Sequence, residues 1–413
     1  MRSVVPARVL IVALLAALLG TSGLPALAQQ PPQPSQPPEA PYCEFREVPP
    51  PPVDTSEQPP PGEPSPAPLP VPANPAGGER MGECGIVVPE GVPAPPEPQT
   101  AASWMVQNLD TGEVLAAKDP HGRQRPASLI KTLLALVVLE QLDPERVVIG
   151  TKQDSEQECT CVGIVEGGEY TVGQLMNALL MRSGNDVAHA LAGALGGTQA
   201  AVRKMNDLAA RLGAADTRAA TPSGLDGPGM TTSVYDMSLI FASAMKQPGY
   251  AEAVGRQHMD FPGGPGKPPY PIYNDNQLWP TYAGFIGGKT GFTDDSRHTY
   301  AGAADREGTR IGVVLLRAEQ KPIPVGDQAA RLLDYGFSLA ATGTPAVGDL
   351  AQAPPVNDGT SDGSAQGAQD ADQDDGKEDP FGTTGWIITL IVIVIVATGM
   401  IIAHRKGVLI RRE

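Results

Sequence analysis

Aromatic residues are scarce, 5% of 413, which is too few for one uniform core over the whole length. Part of the chain is therefore expected to lie outside any folded unit. Basic residues are also short: 30 Lys and Arg face 46 Asp and Glu, for a formal charge of −16. There is no basic patch with interleaved aromatics, so nucleic acid is not an expected partner. Only five histidines occur, and His121, His189, His258 and His298 have no metal-ligand spacing, so neither a metal nor another cofactor is expected. Cysteine is limited to Cys43, Cys84, Cys159 and Cys161. What the chain has in quantity is glycine (47) and proline (44), and an acidic excess concentrated in two flanks. Residues 29–98 carry ten acids and two bases, and residues 354–380 carry eight acids and one base.

Both ends point to a membrane. Arg2 and Arg8 precede the apolar run Val9–Leu19, and Ala26-Leu27-Ala28 is a small-x-small cleavage site, so residues 1–28 read as a secretory signal peptide. Residues 383–403 carry no charge and are long enough, at about 1.5 Å per helical residue, to span about 30 Å of hydrocarbon. Arg405, Lys406, Arg411 and Arg412 follow. Their position puts the tail 404–413 in the cytoplasm and the rest outside, as a single-pass protein of the cell membrane with an extracytoplasmic folded unit. Residues 29–98 hold 24 prolines and read as a disordered, polyproline-like arm. Residues 341–382 read as an acidic flexible stalk. One unit of about 99–340 remains to form a core.

Cysteines in an exported chain suggest disulfides. A Cys159–Cys161 bridge would close a very tight ring and is disfavoured on geometry. Two alternatives stay open: cross-links from the arm to the Cys159–Cys161 region, which would fix the arm against the folded unit, or a Cys43–Cys84 bridge with two free thiols.

Within the folded unit, Trp104–Leu109 and Glu113–Ala117 flank Asp110-Thr111-Gly112 and predict a β-hairpin. Helical spacing marks Ser128–Gln141, Leu175–Leu195 (as one or two helices), Met205–Leu212, Ser233–Met245 and Gln328–Phe337. Gly284–Lys289, Tyr300–Ala304 and Ile311–Leu316 read as strands. Strands at both ends with helices between predict an α/β (α+β) fold, one sheet with a helical insert.

Three motifs carry chemistry. Ser128 and Lys131 sit one turn apart at a helix start, where a neutral amine can act as base for a hydroxyl. The helix N-terminus suits a developing oxyanion. Ser183-Gly184-Asn185 puts a hydroxyl and an amide on a turn between helical runs. Lys289-Thr290-Gly291 ends the apolar stretch Tyr282–Gly287 and offers a cation and a hydroxyl to a carboxylate on an extended substrate.

This trio, in this order, together with Tyr170–Leu180, Pro222–Asp226 and Thr232–Met237, resembles the D-alanyl-D-alanine carboxypeptidase family, the low-molecular-mass penicillin-binding proteins. The resemblance covers roughly residues 100–340. It implies a β-lactamase/DD-peptidase-like antiparallel sheet and an acyl-enzyme mechanism on the stem peptide of peptidoglycan, with β-lactams as inhibitors. It also implies roles. Ser128 would be the nucleophile, Lys131 its base and Ser183 the proton relay to the leaving D-alanine. Asn185 would hold the substrate amide, and Lys289, Thr290 and Gly291 would bind the terminal carboxylate side. The N–H groups of Ser128 and Phe292 would form the oxyanion hole. The family often has an arginine before the last helix that helps hold the carboxylate. Here that place falls near Val325, with no base, and Arg297, Arg317 or Lys321 are the candidates to replace it. Endopeptidase action on cross-links starts from the same acyl-enzyme and stays open as an alternative. A class A β-lactamase would carry Glu-x-x-Leu-Asn after the second motif, and none lies between Asn185 and Lys289. A non-catalytic wall-binding protein would not need an intact Ser128, Lys131 and Lys289.

Overall fold

The computed structural model of the chain describes residues 43–279 and 281–350. In chain order these form β1 (Ile86–Val87), β2 (Ser103–Asn108), β3 (Glu113–Lys118), a 3-10 turn (Ala127–Ile130) running into α1 (Lys131–Gln141), β4 (Val147–Ile149), α2 (Lys152–Ser155), β5 (Glu169–Thr171), α3 (Val172–Arg182), α4 (Asn185–Ala194), α5 (Thr198–Leu212), α6 (Val234–Met245), α7 (Pro248–Gly255), β6 (His258–Phe261), β7 (Tyr270–Tyr273), β8 (Phe285–Thr293), β9 (Arg297–Arg306), β10 (Thr309–Ala318), α8 (Val325–Ala341) and β11 (Gly348–Asp349). No helix among the described residues is long and apolar enough to cross a membrane. The predicted signal (1–28), transmembrane segment (383–403) and basic tail (404–413) lie outside the described residues, as does the stalk from residue 351 onward.

The main sheet is antiparallel throughout and runs β1-β3-β2-β10-β9-β8, with β11 pairing β3 alongside β1. Alternation along each strand sends side chains to two cores. Met105, Ala301, Ala303, Val314 and Leu316 face the helical insert, where α1, α3, α4 and α6 pack. Trp104, Val106, Tyr300, Val313 and Leu315 face the other way, against Ala329, Leu332 and Leu333 of α8. The predicted hairpin, the central helices and the three late strands are all present. Helix ends follow local chemistry. A capping box between Thr171 and Gln174 starts α3, Ser233 caps α6, and Gly213 ends α5 with φ 84°. The Lys289-Thr290-Gly291 motif lies inside β8 rather than at its end, because pairing with β9 continues as far as Thr293. The fold also runs past the expected boundary at 340: β11 adds to the sheet and Leu350 is buried in the core.

The proline-rich segment departs most from expectation. Residues 43–98 contain little regular structure, only β1 and a 3-10 turn at Glu79–Gly82, yet they lie against the folded unit instead of forming a disordered arm. Proline removes backbone donors and leaves carbonyl acceptors, so a docked proline-rich chain needs donors from its partner. Arginines supply them. The buried Arg123 guanidinium donates to the carbonyls of Glu47 (2.6 Å), Leu69 (2.7 Å) and Pro70 (2.9 Å) and to Asp216 (3.1 Å). Arg125 donates to Pro50 O (2.7 Å) and pairs with Glu57. Arg218 reaches Ala67 O and Arg331 reaches Glu97 O. On the arm's side, Arg46 pairs with Asp216 (3.3 Å), and the Val53 N–H donates to Asp295 (2.5 Å).

The disulfides include the Cys43–Cys84 bridge of the second alternative and correct the rest of the cysteine expectation. Cys43 joins Cys84, with Cα atoms 5.3 Å apart, and Cys159 joins Cys161 at 4.7 Å, so no bridge links arm to insert and no described thiol is free. The turn through Thr160 brings the two Cα atoms within 4.7 Å, inside the bonding range despite the short spacing. Arginines, and not cross-links, fix the arm.

Arg123→Ala is expected to destabilise the protein by about 3–5 kcal/mol, since it strips the buried Asp216 of one of its two guanidinium partners and leaves three arm carbonyls without a donor. Thermal unfolding measures that loss, and limited thermolysin digestion should now cut within residues 43–98. Arg123→Lys should fail to restore resistance, because one ammonium cannot span four acceptors in a planar fork.

Candidate active site

The turn that carries Ser128 is held from three sides. Thr299 of β9 donates from Oγ1 to Pro126 O at 3.0 Å. Gly224 approaches so closely that an added Cβ would lie 2.0 Å from Ala127 O, and a Cβ on Gly291 of β8 would lie 2.8 Å from the Ser128 nitrogen. Ala127 itself sits at φ 47°, a conformation costing a non-glycine residue about 1–2 kcal/mol. The surrounding contacts offset that cost and hold Ser128 in the 3-10 turn that leads into α1.

Lys131 is fully buried, and its Nζ meets Ser128 Oγ (2.8 Å), Asn185 Oδ1 (2.8 Å) and Ser223 O (2.5 Å). The Asn185 orientation is fixed because its Nδ2 donates to Glu158 O at 2.7 Å. Two of the three partners are thus obligate acceptors, and only the serine hydroxyl can donate. Either charge state can be satisfied: an ammonium donates to all three oxygens, Ser128 Oγ included, whereas a neutral amine keeps two N–H bonds to Asn185 and Ser223 and can accept the Ser128 proton. Burial drives the Lys131 pKa well below its ordinary value, and the neighbouring Lys289 ammonium adds to the effect, with Asp186 and Asp275 opposing.

Ser183 closes α3 as its C-cap in the left-handed region, with φ 60° and its N–H on Leu179 O, and lies almost wholly buried at the cleft wall. Asn185 opens α4, and its N–H donates to Thr160 O at 2.7 Å. The next residue, Asp186, takes the N–H groups of Val162, Gly163 and Ile164, so the second motif also anchors the loop that bears the Cys159–Cys161 bridge. Lys289 is buried in β8, its Nζ donating to Thr290 O at 2.6 Å. Burial lowers its pKa to about 8, with Asp275 opposing. Thr290 Oγ1 lies 3.4 Å from Asp275. Phe292 is exposed near the end of β8, which is the outer strand of the sheet among the described residues.

Two cavities meet at Ser128. One, of about 330 Å³, is lined by Ser183, Asp275, Thr290, Gly291, His298, Thr299, Gln320 and Val325. The other, of about 350 Å³, is lined by Asn185, Leu225, Phe292 and Thr293 and by the carboxylates of Asp54, Glu158, Asp226 and Asp294. All eight predicted residues therefore border the cleft or pack directly behind it. None of the three bases suggested as arginine substitutes lines the first cavity, and Arg297 is committed to Glu319 at 3.0 Å. Val325 instead starts α8 there. Asp275, His298, Gln320 and Asp186 had no signal in the sequence, because each gains its place by tertiary packing alone. Two clusters have ligand-like proximity, His121–Asp216–Asp236 and Glu57–Asp226–Asp295, but Arg123 and Arg46 already neutralise Asp216, and Arg125 neutralises Glu57.

The family model for D-alanyl-D-alanine carboxypeptidases matches residues 91–320. A D-alanyl-D-alanine carboxypeptidase of Mycobacterium tuberculosis, DacB2, is 44% identical over 258 residues, covering 61% of this chain and 87% of the relative. DacF of Bacillus subtilis, another D-alanyl-D-alanine carboxypeptidase, is 28% identical over 248 residues, covering 59% of this chain and 63% of its own length. Among solved structures, a D-alanyl-D-alanine carboxypeptidase from Mycobacterium tuberculosis superposes with a TM-score of 0.61 at 42% identity, over 64% of this chain and all of that one. The Streptomyces K15 DD-transpeptidase gives 0.56 at 26% identity, over 59% of this chain and 99% of that one. With more than half its length matched by the family model and the Ser128–Lys131 pair hydrogen-bonded in the cleft, this chain belongs to the D-alanyl-D-alanine carboxypeptidase family.

Proposed function

We propose that the protein is a serine-type D-alanyl-D-alanine carboxypeptidase that removes the terminal D-alanine from the stem peptide of peptidoglycan and is acylated by β-lactams. The observation that carries this is the Lys131 amine, buried against one hydroxyl and two obligate acceptors. The Ser128 Oγ attacks the carbonyl carbon of the D-Ala-D-Ala bond while its proton passes to the Lys131 lone pair. The N–H groups of Ser128 and Phe292 take the oxyanion, an interaction worth about 3 kcal/mol per donor. Collapse breaks the C–N bond, and the proton returns through Ser183 to the amine of the leaving D-alanine. Asn185 holds the substrate amide. Lys289 and Thr290 take the terminal carboxylate, with Gly291 letting the strand approach. Water then hydrolyses the Ser128 ester and frees the shortened peptide.

The same reading places the enzyme outside the cytoplasmic membrane, exported by residues 1–28 and held by residues 383–403 with the basic tail inside. The uncharged run and the four bases that follow it support this.

Three outcomes are expected. Ser128→Ala should abolish covalent labelling by a fluorescent penicillin with unfolding unchanged, and Lys131→Ala should slow acylation by ~10²–10⁴-fold; labelling mapped to another serine would refute the assignment. The profile of kcat/KM against pH should fall on the alkaline side near pH 8, as Lys289 loses the charge that holds the carboxylate. Lys289→Arg should move that limb upward, because a guanidinium stays protonated. Protease added to intact wall-stripped cells should release the folded unit, and its complete protection would overturn the topology.

A further inference from the structure

We propose that His298 is a substrate-binding residue whose Nε2–H donates to the carboxylate of the departing residue. The inference rests on the carboxypeptidase reading and adds to it a residue that the three motifs do not contain.

Hydrogen-bond direction fixes the state of the ring. The Val325 N–H at the start of α8 donates to Gln320 Oε1 at 3.1 Å, so the Gln320 oxygen faces the helix. Its Nε2 is then the atom 3.1 Å from His298 Nδ1. An amide NH₂ can only donate, so Nδ1 must accept, and the remaining proton of the neutral ring sits on Nε2. Burial and the neighbouring Arg297 lower the His298 pKa, in keeping with the neutral form. The ring is also held in place. It packs against Phe292, with centroids 4.6 Å apart, and His298 pairs with Phe292 across β8 and β9.

The surroundings create a need for this donor. His298 lines the same cavity as Ser128, Ser183 and Thr290. The wall carries the Asp275 carboxylate and no lysine or arginine, Lys289 being buried beside Thr290 with its Nζ on Thr290 O, so a carboxylate there needs a further donor. The hydroxyls are partly spent: Thr299 donates to Pro126 O, and Thr290 lies within reach of Asp275. A neutral imidazole with its proton on Nε2 gives a directed donor without a second buried charge beside Lys289, which would push the lysine pKa lower still.

Two acyl donors separate this role from a structural one: an N-acyl peptide ending in D-Ala-D-Ala, and the matching N-acyl-D-alanyl methyl ester, whose leaving group has no carboxylate. In purified protein, His298→Ala should lower kcat/KM on the peptide by about 10-fold, chiefly through KM, as expected for a lost hydrogen bond to a charged group. Turnover of the ester should change by less than about twofold. His298→Gln, which keeps a donor, should recover part of the peptide rate. Equal loss on both donors, or no loss on the peptide, would overturn the proposal. Wild-type turnover of the peptide tests the underlying carboxypeptidase reading, whereas the contrast between peptide and ester in the His298 variants tests this inference alone.

Discussion

The burial of the Lys131 amine is the constraint to which the rest of the site conforms. A lysine in water holds its proton and is no base. Taken out of water it favours the neutral form, provided its polar neighbours are ones a neutral amine can satisfy. Those neighbours come from separate parts of the chain: Ser128 from the preceding turn, Asn185 from α4, and the Ser223 carbonyl from the segment before α6. Lys289, from the sheet, adds a second positive charge. The helical insert and the sheet must therefore meet at one place. The two cores on either face of the sheet hold them there, with α1 buried along its Lys131–Val138 length.

The proline-rich arm acts on the same turn from the other end. Arg123 and Arg125 lie just ahead of Pro126-Ala127-Ser128, and both are buried by arm carbonyls or by Glu57. An arginine buried alone would carry a large desolvation cost; here its donors meet acceptors that proline residues and their neighbours present without competing N–H groups. Asp216 sits between Arg46 of the arm and Arg123 of the body, with His121 Nδ1 at 2.7 Å. Guanidinium–carbonyl matching gives a segment of low regular structure a single docked path and fixes the approach to the nucleophile turn.

This also explains what the sequence made legible. Short-range patterns survive folding: the apolar runs around Asp110-Thr111-Gly112 recur as the β2–β3 hairpin and the helical spacing from Ser128 as α1, because each is set within about a dozen residues. Long-range matches leave no local trace. Proline content reveals carbonyl acceptors without neighbouring donors, but not the partners that meet them, the arginines at 123, 125, 218 and 331. The position of Lys289 within β8, where a strand end was expected, depends on pairing with Arg297–Arg306. Asp186, Asp275, His298 and Gln320 are single polar residues with ordinary neighbours in sequence, and only the packed fold brings them to the cleft.

The two cavities differ in how many carboxylates border them, and that difference orients an extended substrate along β8. On the Thr290 side stand one carboxylate, Asp275, the start of α8 and the His298 ring, with Lys289 buried next to Thr290 in β8. A strand advances about 3.3 Å per residue, so Thr293 lies roughly 10 Å farther along than Thr290. On that side Asp54, Glu158, Asp226 and Asp294 border the cavity. Asp226 already carries the effect of crowding: burial, and then Asp295 and Glu57, raise its pKa to about 6 against the pull of Thr293 and Arg125. A peptide carboxylate placed at this end would face like charge, while one placed at Lys289 faces opposite charge. Discrimination of this kind comes as much from repulsion at the wrong end as from attraction at the right one. In the proposed mechanism it leaves one polarity in which the scissile carbonyl meets Ser128, with the carboxylate toward Lys289 and the acyl chain toward the arm.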